Sequence, residues 1–187
     1  MTEFLLIRHG QTNWNIERKY TGQSDIPLNE TGKAQARAAA AQLQADPPAA
    51  IYSSDLIRAY DTAQIIAADL DITVQQDARL REIHQGVWEG LHFDEIKARF
   101  ANEFAAREDN PLEVAPPGGE TVGQVQERVL QALAEIIRAH PDGRVAIVSH
   151  GLTLAVIKAH ALGKPIQQVW DLIPKNAVVE SVFINPR

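Results

Sequence analysis

Apolar residues fall into two kinds of run along this chain. Phe4 to Ile7, Ala49 to Tyr52 and Val145 to Val148 are short and continuous, the length of single strands, and the third is bounded by Gly143 and Gly151. Continuous apolar character suits strands covered on both faces, as in a largely parallel sheet. Val178 to Ile184 is a weaker fourth strand, expected at an edge. The longer runs repeat at helical spacing. Val122, Val125, Val129, Leu133 and Ile136 follow a Thr121/Gln124 capping box and stop at His140-Pro141-Asp142-Gly143. Asn29 caps an Ala-rich helix ending before Asp46-Pro47-Pro48, and a third helix runs from after Ser53-Ser54 to about Leu70. Phe93 to Arg107 reads as one more helical run, followed by a Pro/Gly-rich loop through Pro116-Pro117-Gly118-Gly119. Alternating strands and helices predict an α/β fold. Residues 1–187 are expected to form one domain, with 91–120 as an insertion that covers a site.

Composition narrows the function. The chain has 187 residues, 45% of them apolar, enough for one substantial core. A net charge of -6 with scattered Lys and Arg offers no basic stripe for a nucleic acid. The absence of cysteine removes disulfides, thiol catalysis and Cys-ligated metals, and is compatible with a reducing cytosol. The N-terminus lacks a basic, apolar leader and no window reaches the ~18 apolar residues of a spanning helix, so a cytoplasmic protein away from membranes is expected.

Each continuous apolar run is followed by residues suited to phosphate chemistry. Arg8-His9-Gly10 follows the first, Ser53-Ser54-Asp55 with Arg58 a turn later follows the second, and Ser149-His150-Gly151 follows the third. In open α/β sheets, ligands bind beyond the carboxyl ends of the strands, near helix N-termini with free N–H groups. Planar guanidinium groups such as Arg8 and Arg58 clamp a phosphate dianion with paired hydrogen bonds. A nucleophilic histidine must be neutral, and adjacent positive charge favours that form, which suits His9 beside Arg8. An acceptor on its other ring nitrogen would aim it, and Gly10 would allow close backbone approach. His150 is placed to stabilise the transferring oxygens, and a carboxylic acid with a raised pKa, for which Glu82 is the candidate, would protonate the leaving alkoxide.

The run Leu6-Ile7-Arg8-His9-Gly10-Gln11-Thr12-Asn13-Trp14-Asn15 resembles the signature of the histidine phosphatase superfamily, which includes the cofactor-dependent phosphoglycerate mutases. Four further segments match in order: Tyr20 to Leu28 resembles the substrate loop, Ser53 to Ala63 the second arginine motif, Leu80 to Ile83 the acid motif, and Ser149-His150-Gly151 the second histidine motif. The resemblance implies a three-layer sandwich, a mostly parallel sheet flanked by helices. It also implies His9 as phosphorylated nucleophile, Arg8, Asn15, Arg58 and His150 as phosphate pocket, and Glu82 as proton donor. Thr21, Gly22 and Gln23 would lie near the rest of the substrate, a small phosphorylated metabolite, and Gly151 beside the phosphate. No metal or cofactor is implied, and a homodimer is a further expectation from the family.

Alone, Arg-His-Gly is an ordinary strand-end turn, His150 a structural histidine, Arg58 a solvated helix residue and Glu82 a surface carboxylate; their conjunction gives them function. His84 is kept as a substrate-specificity candidate, Trp88 reads as core, and His92, His140 and His160 show no metal-ligand spacing. Ser149 lacks a Gly-x-Ser-x-Gly elbow. Around the acid, Gly86-Val87-Trp88-Glu89-Gly90 looks like the phosphatase branch, where mutases have Asn-Glu-Arg with a following Tyr-Gly. The stretch between Glu82 and His150 is also shorter than in typical mutases. Hydrolysis of phosphoglycerate derivatives, phosphoserine or a broad range of monoesters is therefore expected. The alternatives are mutase-type phosphoryl transfer and a non-catalytic phosphate-binding module.

Overall fold

A computed structural model describes residues 1–185; the last two positions of the expected 1–187 domain lie outside it. Five strands form one sheet: β1 (Thr2–Arg8), β2 (Ala50–Ser53), β3 (Val74–Gln76), β4 (Arg144–Ser149) and β5 (Val179–Ile184), in the order β3-β2-β4-β1-β5. All neighbours are parallel except β5, which runs antiparallel to β1 at the edge. The sequence expectation of an α/β, mostly parallel sheet flanked by helices is met, and the weak fourth strand is the edge strand.

The continuous apolar runs divide by side-chain alternation between two cores. Phe4, Leu6, Val145 and Ile147 face α6 (Val122–Ala139) and α7 (Gly151–Ala161), where they pack with Val125, Val129, Leu154 and Ile157. Leu5, Ile7, Ala146 and Val148 face α2 (Glu30–Leu43) and α3 (Ile57–Leu70), meeting Ala39, Ala40, Ala63 and Ile66. The small alanines of α2 and α3 let these two helices lie close to the sheet and to each other. A third, smaller cluster of Trp88, Ile96 and Phe104 lies under α4 (Phe93–Arg99) and α5 (Ala101–Asp109).

The helix limits follow their caps. Asn29 accepts from the Gly32 amide at the start of α2, and Thr121 and Gln124 exchange reciprocal bonds at the start of α6. The expected helix from Phe93 to Arg107 is instead two, broken at Phe100, whose φ of -134° is not helical. Three elements gave no readable signal. β3 is three residues with two exposed glutamines, the short α1 (Asn13–Glu17) buries nothing, and α7 is buried nearly all round, so that it shows no amphipathic period. Among the described residues no helix is long and apolar enough to cross a membrane.

Strand register brings the three motifs level. Arg8 pairs with Ser149 and Ser53 with Val148, so His9, Ser54 and His150 all sit one residue past the same edge of the sheet. The turn after β1 is held from both sides: the Gly10 amide donates to Thr62 of α3, and the Gln11 amide to Gln35 of α2. Gly10 and Gly32 meet backbone to backbone there, and a Cβ on either would collide with the other strand of chain, on Gly32 with the Gln11 carbonyl. Gly32→Ala should therefore destabilise the protein by roughly 1–3 kcal/mol through overpacking. Urea unfolding measures this, and an unchanged midpoint would contradict the close approach.

Candidate active site

His9 is 4% exposed, and its Nδ1 lies 2.7 Å from the carbonyl oxygen of Gly10. A carbonyl only accepts, so Nδ1 carries the proton and the lone pair of neutral His9 is on Nε2. Burial is the first cause that lowers the His9 pKa well below its ordinary value, followed by the positive fields of Arg58 and Arg8. The ring therefore stays unprotonated at neutral pH. Its backbone is fixed as well: the His9 amide donates to Ser149 at 2.9 Å, and its carbonyl accepts from Asn176 Nδ2 at 2.8 Å.

Arg58 is 1% exposed in the first turn of α3. It donates through Nη1 to the Ser24 carbonyl at 2.8 Å and through Nη2 to the Gly22 carbonyl at 2.7 Å, so the same side chain forms the pocket and pins the 21–25 loop beside it. Burial pushes its pKa down to about 10, with the field of Glu82 the largest opposing influence, so it remains a cation at pH 7. Arg8 donates to the Pro174 carbonyl at 3.0 Å, and burial lowers its pKa against the field of Glu82. The Nε atoms of both arginines are buried without a hydrogen-bond partner. Buried donors left over in this way fit an anion that is bound during function.

His150 is fully buried with its ring 5.3 Å from that of His9. Its Nε2 lies 2.8 Å from Ser54 Oγ, and its Nδ1 has no partner. Ser54 Oγ already accepts from the Leu56 amide, so its hydroxyl hydrogen is free to donate to Nε2. That tautomer makes the unpartnered Nδ1 an N–H donor, as stabilisation of transferring oxygens requires. Burial and the fields of Arg58, His9 and Arg8 lower the His150 pKa well below its ordinary value.

Arg8, His9, Asn15, Thr21, Gly22, Arg58, Glu82 and Gly151 line one cleft of about 190 Å³, so most of the residues expected from the sequence are brought together. Asn15 uses its carbonyl oxygen in the cap of α1, accepting from the Thr12 amide, and so has its NH2 to offer an anion. The Glu82 carboxylate is held by the amides of Ile83 at 2.9 Å and Leu152 at 3.2 Å. Gly151 brings the start of α7 against it: a Cβ there would lie 3.5 Å from the Arg8 guanidinium carbon and 3.6 Å from Glu82 Oε2. Gln23 stands behind the cleft, donating to the Glu82 carbonyl at 3.0 Å, and is a support of the acid loop.

Not every expected residue lines the cleft: Gln23 does not, nor does His150, which is fully buried against the His9 ring. His84 does not line the cleft; its Nδ1 bonds the Gly118 carbonyl at 2.9 Å and its ring lies 3.7 Å from Glu89. Residues 91–120 supply none of this cleft's lining, which is completed by Lys19, Ile83, Gln85, Leu152, Trp170 and Ile173, but Phe93, Phe104, Arg107 and Glu108 line the cavity that adjoins it. The chain segment after α7 thus forms a wall that no periodicity announced. Arg128, which no sequence feature singles out, donates to the carbonyls of Arg79, Arg81 and Glu82 and to Glu120, clamping the Glu82 loop onto α6. Its position nearly two turns inside an amphipathic helix gives no signal beyond surface charge. Among the described residues no group of three or more His, Asp or Glu is placed to hold a metal ion.

The family model for the histidine phosphatase superfamily (branch 1) matches residues 4–186. Phosphoserine phosphatase 1 of Hydrogenobacter thermophilus is 31% identical over 187 residues, which is 100% of this chain and 89% of that protein. A probable phosphoglycerate mutase of Citrobacter koseri is 36% identical over 182 residues, 97% of this chain and 85% of that one. Among solved structures, mycobacterial glucosyl-3-phosphoglycerate phosphatase complexed with VO3 superposes with a TM-score of 0.86 at 35% identity, covering 96% of this chain and 90% of the other.

Two buried neutral histidines make a prediction for pH. Below about pH 6.5 the unfolded chain takes up protons on these rings that the folded state refuses, so stability falls as pH falls. Each ring adds up to about 1.4 kcal/mol per pH unit to that slope. Chemical unfolding of wild type and of His9→Gln/His150→Gln between pH 6.5 and 5 should show the shallower decline in the variant. Equal slopes would mean that the rings are protonated in the folded state.

Proposed function

The chain belongs to the histidine phosphatase superfamily, and from that membership we propose that it is a phosphatase: a metal-independent phosphomonoesterase acting on small phosphorylated metabolites through a phosphohistidine at His9. The observation that carries this reading is the buried, neutral His9 with Nδ1 bonded to the Gly10 carbonyl, set between two guanidinium groups with unused donors.

In the proposed reaction the phosphate dianion is bound by Arg8, Arg58, Asn15 and the Nδ1–H of His150. His9 Nε2 attacks phosphorus while the bond to the alcohol oxygen breaks. The departing oxygen takes a proton from the Glu82 carboxyl, which leaves Glu82 as a carboxylate. A water molecule then attacks the phosphohistidine, gives its proton to Glu82 and returns the electron pair of the P–N bond to Nε2. As negative charge moves to the equatorial oxygens, the fixed cations stabilise it without reorganising, which is where most of the rate enhancement arises. The cations are arginines, and this supports a reaction that needs no metal.

Hydrolysis is favoured over mutase transfer because a mutase must keep its phosphoenzyme dry. Here the cleft is walled by Trp170 and Ile173, 44% and 39% exposed, and no side chain from 91–120 closes over it. The substrate class agrees with cleft size and with a net charge of -6, which gives no attraction for polyanions. The 36% identity to a probable mutase makes phosphoryl transfer between phosphoglycerates the second reading.

Phosphate release by the purified protein in excess chelator, from phosphoserine, 3-phosphoglycerate, sugar phosphates, nucleotides and p-nitrophenyl phosphate, tests the proposal. Wild type should turn over at least one of these and Glu82→Gln should lose at least tenfold in kcat, least with the good p-nitrophenolate leaving group. Release only after metal is restored would overturn metal independence. Isomerisation of phosphoglycerate without release would establish the mutase, and binding without turnover the regulatory module.

A further inference from the structure

Beside the phosphate cleft lies a second cavity of about 390 Å³, a volume typical of small-molecule sites. Its walls are aromatic: Tyr20, Trp88, Phe93, Phe104 and Trp170. Gln85 and Trp170 line this cavity and the cleft alike, so the two adjoin. The mechanism above makes no use of it.

Two hydrogen-bond donors in this apolar wall have no acceptor. Arg107 is 7% exposed; its Nη1 donates to Gln85 Oε1 at 2.7 Å, while Nη2 is buried without a partner. Trp88 is fully buried and its Nε1 also has no partner. The Arg107 guanidinium carbon sits 5.3 Å from the Trp88 ring centre, a cation–π contact that makes the two residues neighbours in the wall. Among the described residues Arg107 makes no ion pair, and Glu108, on the same cavity, is an exposed side chain. A buried cation that makes no ion pair, opposed only by the fields of Tyr20 and Glu82, and next to a second unsatisfied donor, is costly unless a ligand supplies acceptors. A carboxylate has two acceptor oxygens for two donors and a charge opposite to Arg107.

We infer that this cavity receives the alcohol part of the substrate, and that the preferred substrates are phosphomonoesters whose alcohol bears an apolar ring and, beyond it, a carboxylate bound by Arg107 Nη2 and Trp88 Nε1. The inference rests on the phosphatase reading for its reaction and names the substrate class of that site. The ring stacks among the aromatic walls, the phosphate lies against His9, and Gln85 spans the junction. Arg107 is thus a specificity-determining residue at the far end of the substrate from the bond that breaks.

The test compares phenyl phosphate with a series of phenyl phosphates carrying a para carboxylate on zero, one or two methylenes, assayed with wild type and Arg107→Met. For at least one member, wild type should show a kcat/KM roughly 10–100-fold above phenyl phosphate, and the ratio should fall to about one in the variant. A ratio near one for every member in wild type, or a preference kept in Arg107→Met, would overturn the inference while leaving the phosphatase reading intact. If no ester is hydrolysed, the phosphatase reading fails by itself. Binding of the corresponding para-hydroxyphenyl carboxylates, read by quenching of tryptophan fluorescence, then decides the cavity's role. Quenching lost in Arg107→Met supports it, and quenching that is absent in wild type or unchanged in the variant overturns it.

Discussion

Positive charge held next to a histidine that must stay neutral is the constraint around which this structure is arranged. Arg8 and Arg58 are cations in an interior that disfavours charge, and their fields together with burial keep His9 unprotonated. The Gly10 carbonyl fixes which nitrogen of that ring carries the proton, and so which one would attack in the proposed reaction. Strand register sets the spacing, because β1, β2 and β4 end within one residue of each other and release His9, Ser54 and His150 at one edge. Gly10 and Gly32 matter for the same reason: only two residues without side chains let α2 approach closely enough to staple the turn that carries His9.

The cations also organise the surrounding loops. Arg58 spends one bond of each terminal nitrogen on the carbonyls of Gly22 and Ser24, which fixes the loop that would face the substrate. Glu89 holds the same loop from the other side through the amides of Gln23 and Gln85 and the hydroxyl of Ser24. Arg128 and Glu120 secure the Glu82 segment, with Glu120 accepting also from the His84 amide. The Arg58 pocket, the 21–25 loop and the Glu82 loop are therefore joined in one connected polar network.

Legibility in the sequence followed physical locality. The strands of β1, β2 and β4 and the helices α2, α3 and α6 were readable because burial on two faces leaves continuous apolar runs and caps leave fixed residue types. Site residues placed directly after those strands, His9 and His150 above all, were readable for the same reason. β3 was missed because its side chains are polar and exposed, and α7 because burial on all sides erases its period. The break at Phe100 has no Gly or Pro to announce it. Trp170, Ile173, Arg107 and Arg128 reach their places through tertiary packing alone. His84 follows Glu82 closely in sequence, yet its ring turns to the Gly118 carbonyl, a partner that only the folded loop supplies.

The central claim is that His9 Nε2 carries the phosphoryl group. Rapid acid-free quenching of wild type during turnover of a 32P-labelled monoester, followed by peptide mapping, measures this directly. Label is expected on His9, stable in alkali, lost in acid, and formed and consumed at rates compatible with turnover. Hydrolysis that proceeds at full rate without label on His9, or that survives in His9→Ala, would contradict it.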